Sequence, residues 1–286
     1  GMLDSGFGPF GLVRLTYETG GVYFAVHPKR SVGRGVRPYQ TSVMSAYVSR
    51  FFDPAVMRAY RPDYVSLAQY RQLARENRAR AALLQAAQLS WTSPMQNPRR
   101  VFANVDEAEF ARELTRAQQS AAALEPIVGR IVATLREGEP DRHRLVRPRW
   151  QAGFDLALGR ALALQVRTVG YNTMLATAKR GLNFTKDNSD TWRLRSSPEI
   201  STGSALEKSA AEATGYLRRV VNEHEGTPWA MIAQRELAIP LGWKWQEEFR
   251  NVRRRREMIA ANNMNAPPED DTIRPPDRPL RKPPAL

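Results

Sequence analysis

Cations dominate the residues of this sequence that could do chemistry. Two groups are dense enough to matter: Lys29, Arg30, Arg34 and Arg37 in the segment HPKRSVGRGVRPYQ (27–40), and the unbroken run Arg253, Arg254, Arg255 and Arg256. Guanidinium groups in such numbers suit phosphate or carboxylate, which they bind through paired N–H donors. Each phosphate neutralised also releases a counterion and adds salt-dependent affinity. A formal net charge of +14 from 43 Lys and Arg against 29 Asp and Glu points the same way, toward an acidic partner such as nucleic acid, anionic lipid or an acidic protein. Each group has a plainer reading. The loop 27–40 is also a solvated connector, and the arginine run a solvated helix end, where cations near a C-terminus complement the helix dipole. No interleaved aromatic residues or nucleic-acid module accompany the arginine run.

Catalytic and metal-binding patterns are lacking. His27, His143 and His224 lie far apart and have neither metal nor triad spacing. There is no cysteine, which removes disulfides, thiol nucleophiles and thiolate metal sites together. The string Asp187-Asn188-Ser189-Asp190 suggests a hard-cation loop but lacks the glycine and terminal glutamate of a Ca²⁺ loop, so turn chemistry accounts for it better. Glu247 and Glu248 are adjacent on an expected exposed helix and would not converge on one substrate. No phosphate loop, nucleophile elbow or kinase set occurs. The expectation is binding without catalytic residues, cofactor or metal.

The elements that must carry these residues are mostly helices. Asp53-Pro54 caps a short helix ended by Arg61-Pro62, and Ser66 caps another whose stripe Leu67, Tyr70, Leu73, Leu83, Leu84 and Ala87 runs up to Trp91. A helix from Asp106 carries Phe110, Leu114, Ala117, Ala121 and Leu124 to Leu135, with Pro126 predicting a kink or two abutting helices and Gly138 a stop. From Pro148 to Gly181 the apolar set Trp150, Phe154, Leu158, Leu162, Val166, Val169, Met174 and Leu175 predicts a helix on the order of 45 Å long, the centre of an antiparallel bundle. Asp155 and Arg160 on that helix are expected to face solvent. Phe184 and Trp192 to Leu194 flank a turn cluster and read as a small hairpin or structured loop within 183–195.

Ala205 to Gly226 and Thr227 to Leu237 read as a helical hairpin, and YLRRVVNEHEGTPWAMIAQREL is similar to a tetratricopeptide-type unit. A stack needs about three such units, so one is read as a hairpin packed on the bundle. Pro240 to Trp245 introduces a last helix, with Trp243 and Phe249 packed, that continues into the four arginines; beyond Asn262 the Pro-rich sequence predicts disorder.

The opening is of another kind. Leu12, Leu15 and Thr19 share one helical face, Gly20-Gly21 stop it, and Val22 to Val26 form a strand apolar on both faces, as in a helix-covered parallel sheet. GPFGLVRLTYETGGVYFAV resembles the last helix and strand of a von Willebrand factor A (vWA) domain. More broadly, that run, FFDPAVMRAYRPDY, GTPWAMIAQREL and PLGWKWQEEF resemble the C-terminal half of large bacterial vWA-containing proteins. The resemblance implies that the metal-binding Asp-x-Ser-x-Ser loop of such a domain lies upstream of Gly1. Asp4 and Ser5 share only an Asp near a Ser and read as turn residues.

The expected architecture is mainly α, an irregular helical bundle with one N-terminal α-β remnant of a vWA-type domain. Its parts are 1–40 (vWA-like helix, strand and basic loop), 41–262 (helical domain including the hairpin 204–238) and 263–286 (disordered tail). No stretch approaches the roughly 20 apolar residues that span a bilayer, and Gly1-Met2 opens no secretory pattern; any signal peptide would lie upstream. The expected role is a protein-interaction or scaffold module with a protein partner, and the alternative is a binder of nucleic acid or another anionic polymer through the two basic groups. Oligomeric state and compartment stay open.

Overall fold

The computed structural model describes residues 52–90 and 98–264. The opening helix and strand, the basic loop 27–40 with Lys29, Arg30, Arg34 and Arg37, and the tail from 265 lie outside them. The described residues are mainly helical, with one small antiparallel sheet.

The described residues open with α1 (Pro54–Met57), which continues as the 3-10 turn Arg58–Tyr60. Ser66 then caps α2 (Leu67–Arg75): its hydroxyl accepts the Gln69 N–H at 3.3 Å and the Gln69 side chain accepts the Ser66 N–H at 3.1 Å. The expected single helix up to Trp91 is instead two, because the chain breaks at Asn77 before α3 (Arg78–Ser90). Asn77 Oδ1 accepts the Arg80 N–H, and the Asp141 carboxylate accepts the Arg78 N–H, so two of the first-turn donors of α3 are satisfied from outside the helix. The expected leucine stripe is therefore split between two helices, with Leu83 partly buried against the core. Leu67 is 64% exposed, and α3 turns Ala79, Ala82 and Ala86 inward.

Small residues on α3 meet α5 (Glu125–Gly138), which abuts α4 (Glu107–Ala122) at the break that Pro126 predicts. Gly138 ends α5, yet its φ of −84° uses no glycine freedom. A Cβ there would stand 2.9 Å from Ala79 Cα and 2.9 Å from the Arg78 carbonyl oxygen, so its smallness serves helix approach.

The long helix is α6 (Pro148–Ala178), which Gly181 follows at φ 113°. It is apolar nearly all round because it is surrounded. Phe154, Leu158 and Leu162 pack with Ala79 and Ala82 of α3, with Val132 and Leu135 of α5, and with Ala213 and Tyr216 of α7 (Ser204–Glu223). Tyr171 and Leu175 pack with Phe110 and Leu114 of α4 and with the sheet. Thr227 caps α8 (Pro228–Leu237), accepting the Ala230 N–H at 3.3 Å. The α7–α8 hairpin closes against α6 through Leu217, Val220, Ala233 and Leu156.

Three strands, far apart in the sequence, make the sheet: β1 (Val101–Ala103), β2 (Thr191–Ser197) and β3 (Gly242–Glu248), in the order β1-β2-β3, all antiparallel. The segment 183–195 is thus no self-contained hairpin, since β2 pairs on both sides with distant chain. The segment 242–248 is a strand where a helix was expected, and Phe249 is 63% exposed rather than packed. In register Phe102 opposes Trp192, Trp192 opposes Glu247 and Leu194 opposes Trp245. Phe102, Trp192, Leu194, Trp243 and Trp245 consequently share the face turned to α4 and α6. The opposite face carries Val101, Ala103, Thr191 and Glu248.

Candidate functional site

The last helix, α9 (Val252–Met264), stands beside that opposite face and is exposed from Arg253 to Ala261. Its position is set from across the sheet. Thr191 opposes Glu248, so Asp190, one residue before β2, sits where the chain leaves β3. The Arg250 N–H donates to one Asp190 oxygen at 2.8 Å and the Val252 N–H to the other at 2.7 Å. Asp190 thereby caps α9 as an in-chain N-cap would. Asn251 turns the chain there at φ 52°, a left-handed conformation that asparagine tolerates. Burial pushes the Asp190 carboxyl up, but the Val252 and Arg250 N–H donors outweigh it and hold the group below its ordinary value.

This start corrects the expected location of the arginine run. Arg253, Arg254, Arg255 and Arg256 occupy the first turns of α9, the positive end of its dipole, and not a helix C-terminus. A cation there costs on the order of 0.3–1 kcal/mol where one at the other end would stabilise. Carboxylates offset part of that cost. Arg256 makes a two-pronged pair with Glu109 of α4 at 2.7 and 2.9 Å, and Arg250 pairs with Glu248 at 3.0 Å. Arg99, just before β1, pairs with Glu113 of α4 at 2.7 Å. Among the described residues, Arg253, Arg254 and Arg255 have no carboxylate within ion-pair distance.

Between β1 and α9 these side chains enclose an open cleft of about 360 Å³. Arg99, Arg250, Arg255 and Arg256 line it, over a floor of Val101, Ala103 and Thr191 and a helical wall of Val252 and Ile259. The structure thus brings Arg255 and Arg256 of the sequence-predicted run together with Arg99 and Arg250, which sequence reasoning missed. Arg253 and Arg254 stay outside the cleft lining.

Glu247 and Glu248 are on a strand, not on a helix, and point to opposite faces. Glu247 closes the turn before β2: it accepts from the Thr185 N–H and hydroxyl at 2.9 and 2.7 Å, the Lys186 N–H at 3.0 Å and the Ser189 hydroxyl at 3.1 Å. Led by the Thr185 N–H, these donors hold its carboxyl down at about 2. Of the Asp-Asn-Ser-Asp string, Ser189 thus joins this turn and Asp190 caps α9.

Two polar clusters lie inside the body. His224 is 2% exposed, with Nδ1 2.9 Å from the Tyr60 hydroxyl and no partner for Nε2 among the described residues; burial lowers its pKa. Asp155 is fully buried instead of facing solvent, bound by Arg142 through Nη2 at 2.6 Å and Nε at 3.2 Å, with Arg219 at 3.6 Å. Its charge is matched in place, as a buried carboxylate must be. Among the described residues no three His, Asp or Glu side chains are grouped to hold a metal ion. No described helix is long and apolar enough to cross a membrane.

No protein-family model, curated protein or solved structure matches this chain.

Proposed function

We propose that this chain is a non-enzymatic interaction module that docks an acidic protein partner in the cleft between β1 and α9. The observation that carries this reading is the cleft's composition: Arg99, Arg250, Arg255 and Arg256 around an apolar seat of Val101, Ala103, Val252 and Ile259. Charge at the rim steers and selects, while the apolar centre supplies area to bury. The α7–α8 hairpin is a weaker docking surface, because its apolar face is spent on α6. The vWA resemblance of the opening segment supports the further reading that the module follows such a domain, with any metal-dependent adhesion belonging to that domain.

Arg255 gives the cleanest test, since replacing it breaks no ion pair among the described residues. Titration of polyglutamate against the full chain should show binding that weakens with salt. Arg255→Glu should weaken it about three- to tenfold. Binding without salt dependence, or indifference to Arg255→Glu, would overturn the reading. Arg253 and Arg254, exposed and without ion pairs among the described residues, favour a second reading, in which a nucleic acid or other polyanion binds along α9. That reading prevails if heparin or single-stranded DNA outcompetes polyglutamate with a steep salt slope.

A further inference from the structure

We infer that the cleft takes its acidic partner as an extended strand added to the free edge of β1, with carboxylates at alternate positions meeting Arg255 and its neighbours. The inference rests on the cleft being an acidic-protein docking site and specifies how the partner is held. In the β1–β2 ladder the Leu194 N–H donates to the Arg100 carbonyl at 2.7 Å, and the Asn104 N–H donates to the Asp190 carbonyl at 2.9 Å. Antiparallel pairing alternates, so the peptide groups of Val101 and Ala103, between those positions, face away from β2. β1 is the first strand in the sheet order, and nothing among the described residues pairs with that outer edge apart from Arg99 Nε, which donates to the Val101 carbonyl at 3.1 Å. Unpaired N–H and C=O groups on a strand edge are a template for another strand.

The same two residues, Val101 and Ala103, line the arginine cleft, which puts the template and the charges in one place. An extended peptide supplies the backbone donors and acceptors that this edge lacks. A nucleic acid supplies none in that pattern, and no aromatic ring lines the cleft for a base to stack on. Side chains of an added strand alternate between faces, so residues at every second position turn toward α9. Arg255, without a carboxylate partner among the described residues, selects an acidic residue there, and Val252 and Ile259 accept an apolar neighbour.

The test uses the full chain and a labelled peptide alternating glutamate and valine, compared with the same peptide N-methylated on alternate backbone nitrogens in either register. Strand addition requires that the plain peptide bind, that one methylated register bind at least about tenfold more weakly, and that amide exchange at Val101 and Ala103 slow on binding. Ala103→Pro is the protein-side counterpart. It removes an outward N–H without touching the β1–β2 ladder, and should weaken the plain peptide while leaving the circular dichroism unchanged. Equal binding by plain and methylated peptides, with Arg255 dependence kept, overturns strand addition but not acidic docking. Failure of every peptide while polyglutamate still binds also overturns strand addition alone. Failure of peptides and polyglutamate together, or preference for an oligonucleotide, overturns both.

Discussion

Replacing Asp190 by alanine should detach α9 while leaving the body intact. The two N–H donors at 2.8 and 2.7 Å are the bonds that start the helix. A hydrogen bond to a charged acceptor contributes about 1.5–3 kcal/mol, and loss of an N-cap costs about 0.5–2 kcal/mol. These figures describe the same bonds, and Asp190 is only half-buried, so about 2 kcal/mol is the working value. The other tether, Arg256 to Glu109, is 45% and 35% exposed and worth at most about 1 kcal/mol. No residue from Arg253 to Ala261 is buried, so the hydrophobic core does not hold the helix. A loss of about 2 kcal/mol corresponds to roughly a thirtyfold rise in the open population. Hydrogen exchange at the amides of residues 255–258 should accelerate by that factor in Asp190→Ala, while the amides of α6 and the thermal midpoint stay put. Because the folded carboxyl is held below its ordinary value of 3.8, its contribution is complete above that value and is lost as pH falls through the lower folded value. Wild-type α9 should therefore loosen only in acid below pH 3.8, and Asp190→Ala should be loose at every pH. Parallel acceleration in α6, or no acceleration in α9, would refute the claim that one carboxylate places this helix.

The buried pair gives a second prediction. Arg142→Leu leaves Asp155 fully buried with Arg219 at 3.6 Å as its remaining cation, and should cost about 3–5 kcal/mol in chemical denaturation. Adding Asp155→Leu should recover most of that loss, and a double variant as unstable as the single would contradict the account. Glu247 supplies a third, with its carboxyl held at about 2 against an ordinary 4.5. Its hold on Thr185 and Lys186 is complete above pH 4.5 and is lost as pH falls through about 2. The amide shifts of those two residues should follow that titration, and in Glu247→Gln they should show a loosened turn with no such acid transition.

Much of the helical framework was legible because its signals are local. Pro148 and Gly181 bracket α6, Ser66 and Thr227 cap α2 and α8, and Pro126 marks the junction of α4 and α5. What stayed hidden depends on distant partners. The break at Asn77 has no strong breaker in the sequence and is stabilised by Asp141. The strand Gly242–Glu248 does carry an alternating pattern, with Trp243 and Trp245 against exposed Lys244 and Gln246. Its Lys, Gln and Glu residues nevertheless favour helix by propensity. Packing of both tryptophans beside Trp192 and Phe102 overrides that preference, as tertiary context does for short segments.

The candidate site was half legible for the same reason. An arginine run can be read from composition, but its sign relative to a helix dipole depends on where the helix begins. Ending β3 at Glu248 moves Arg253 to Arg256 from the expected last turn to the first. That move removes the dipole argument for an idle, solvated helix end, because cations at the positive end raise the energy of the unbound protein. Asp190, Glu248 and Glu109 offset part of it, and Glu248 is already shared among Arg193, Arg195 and Arg250. On the proposed reading, a carboxylate arriving beside Arg255 would relieve repulsion among these cations, which is the physical reason an acidic group suits this cleft.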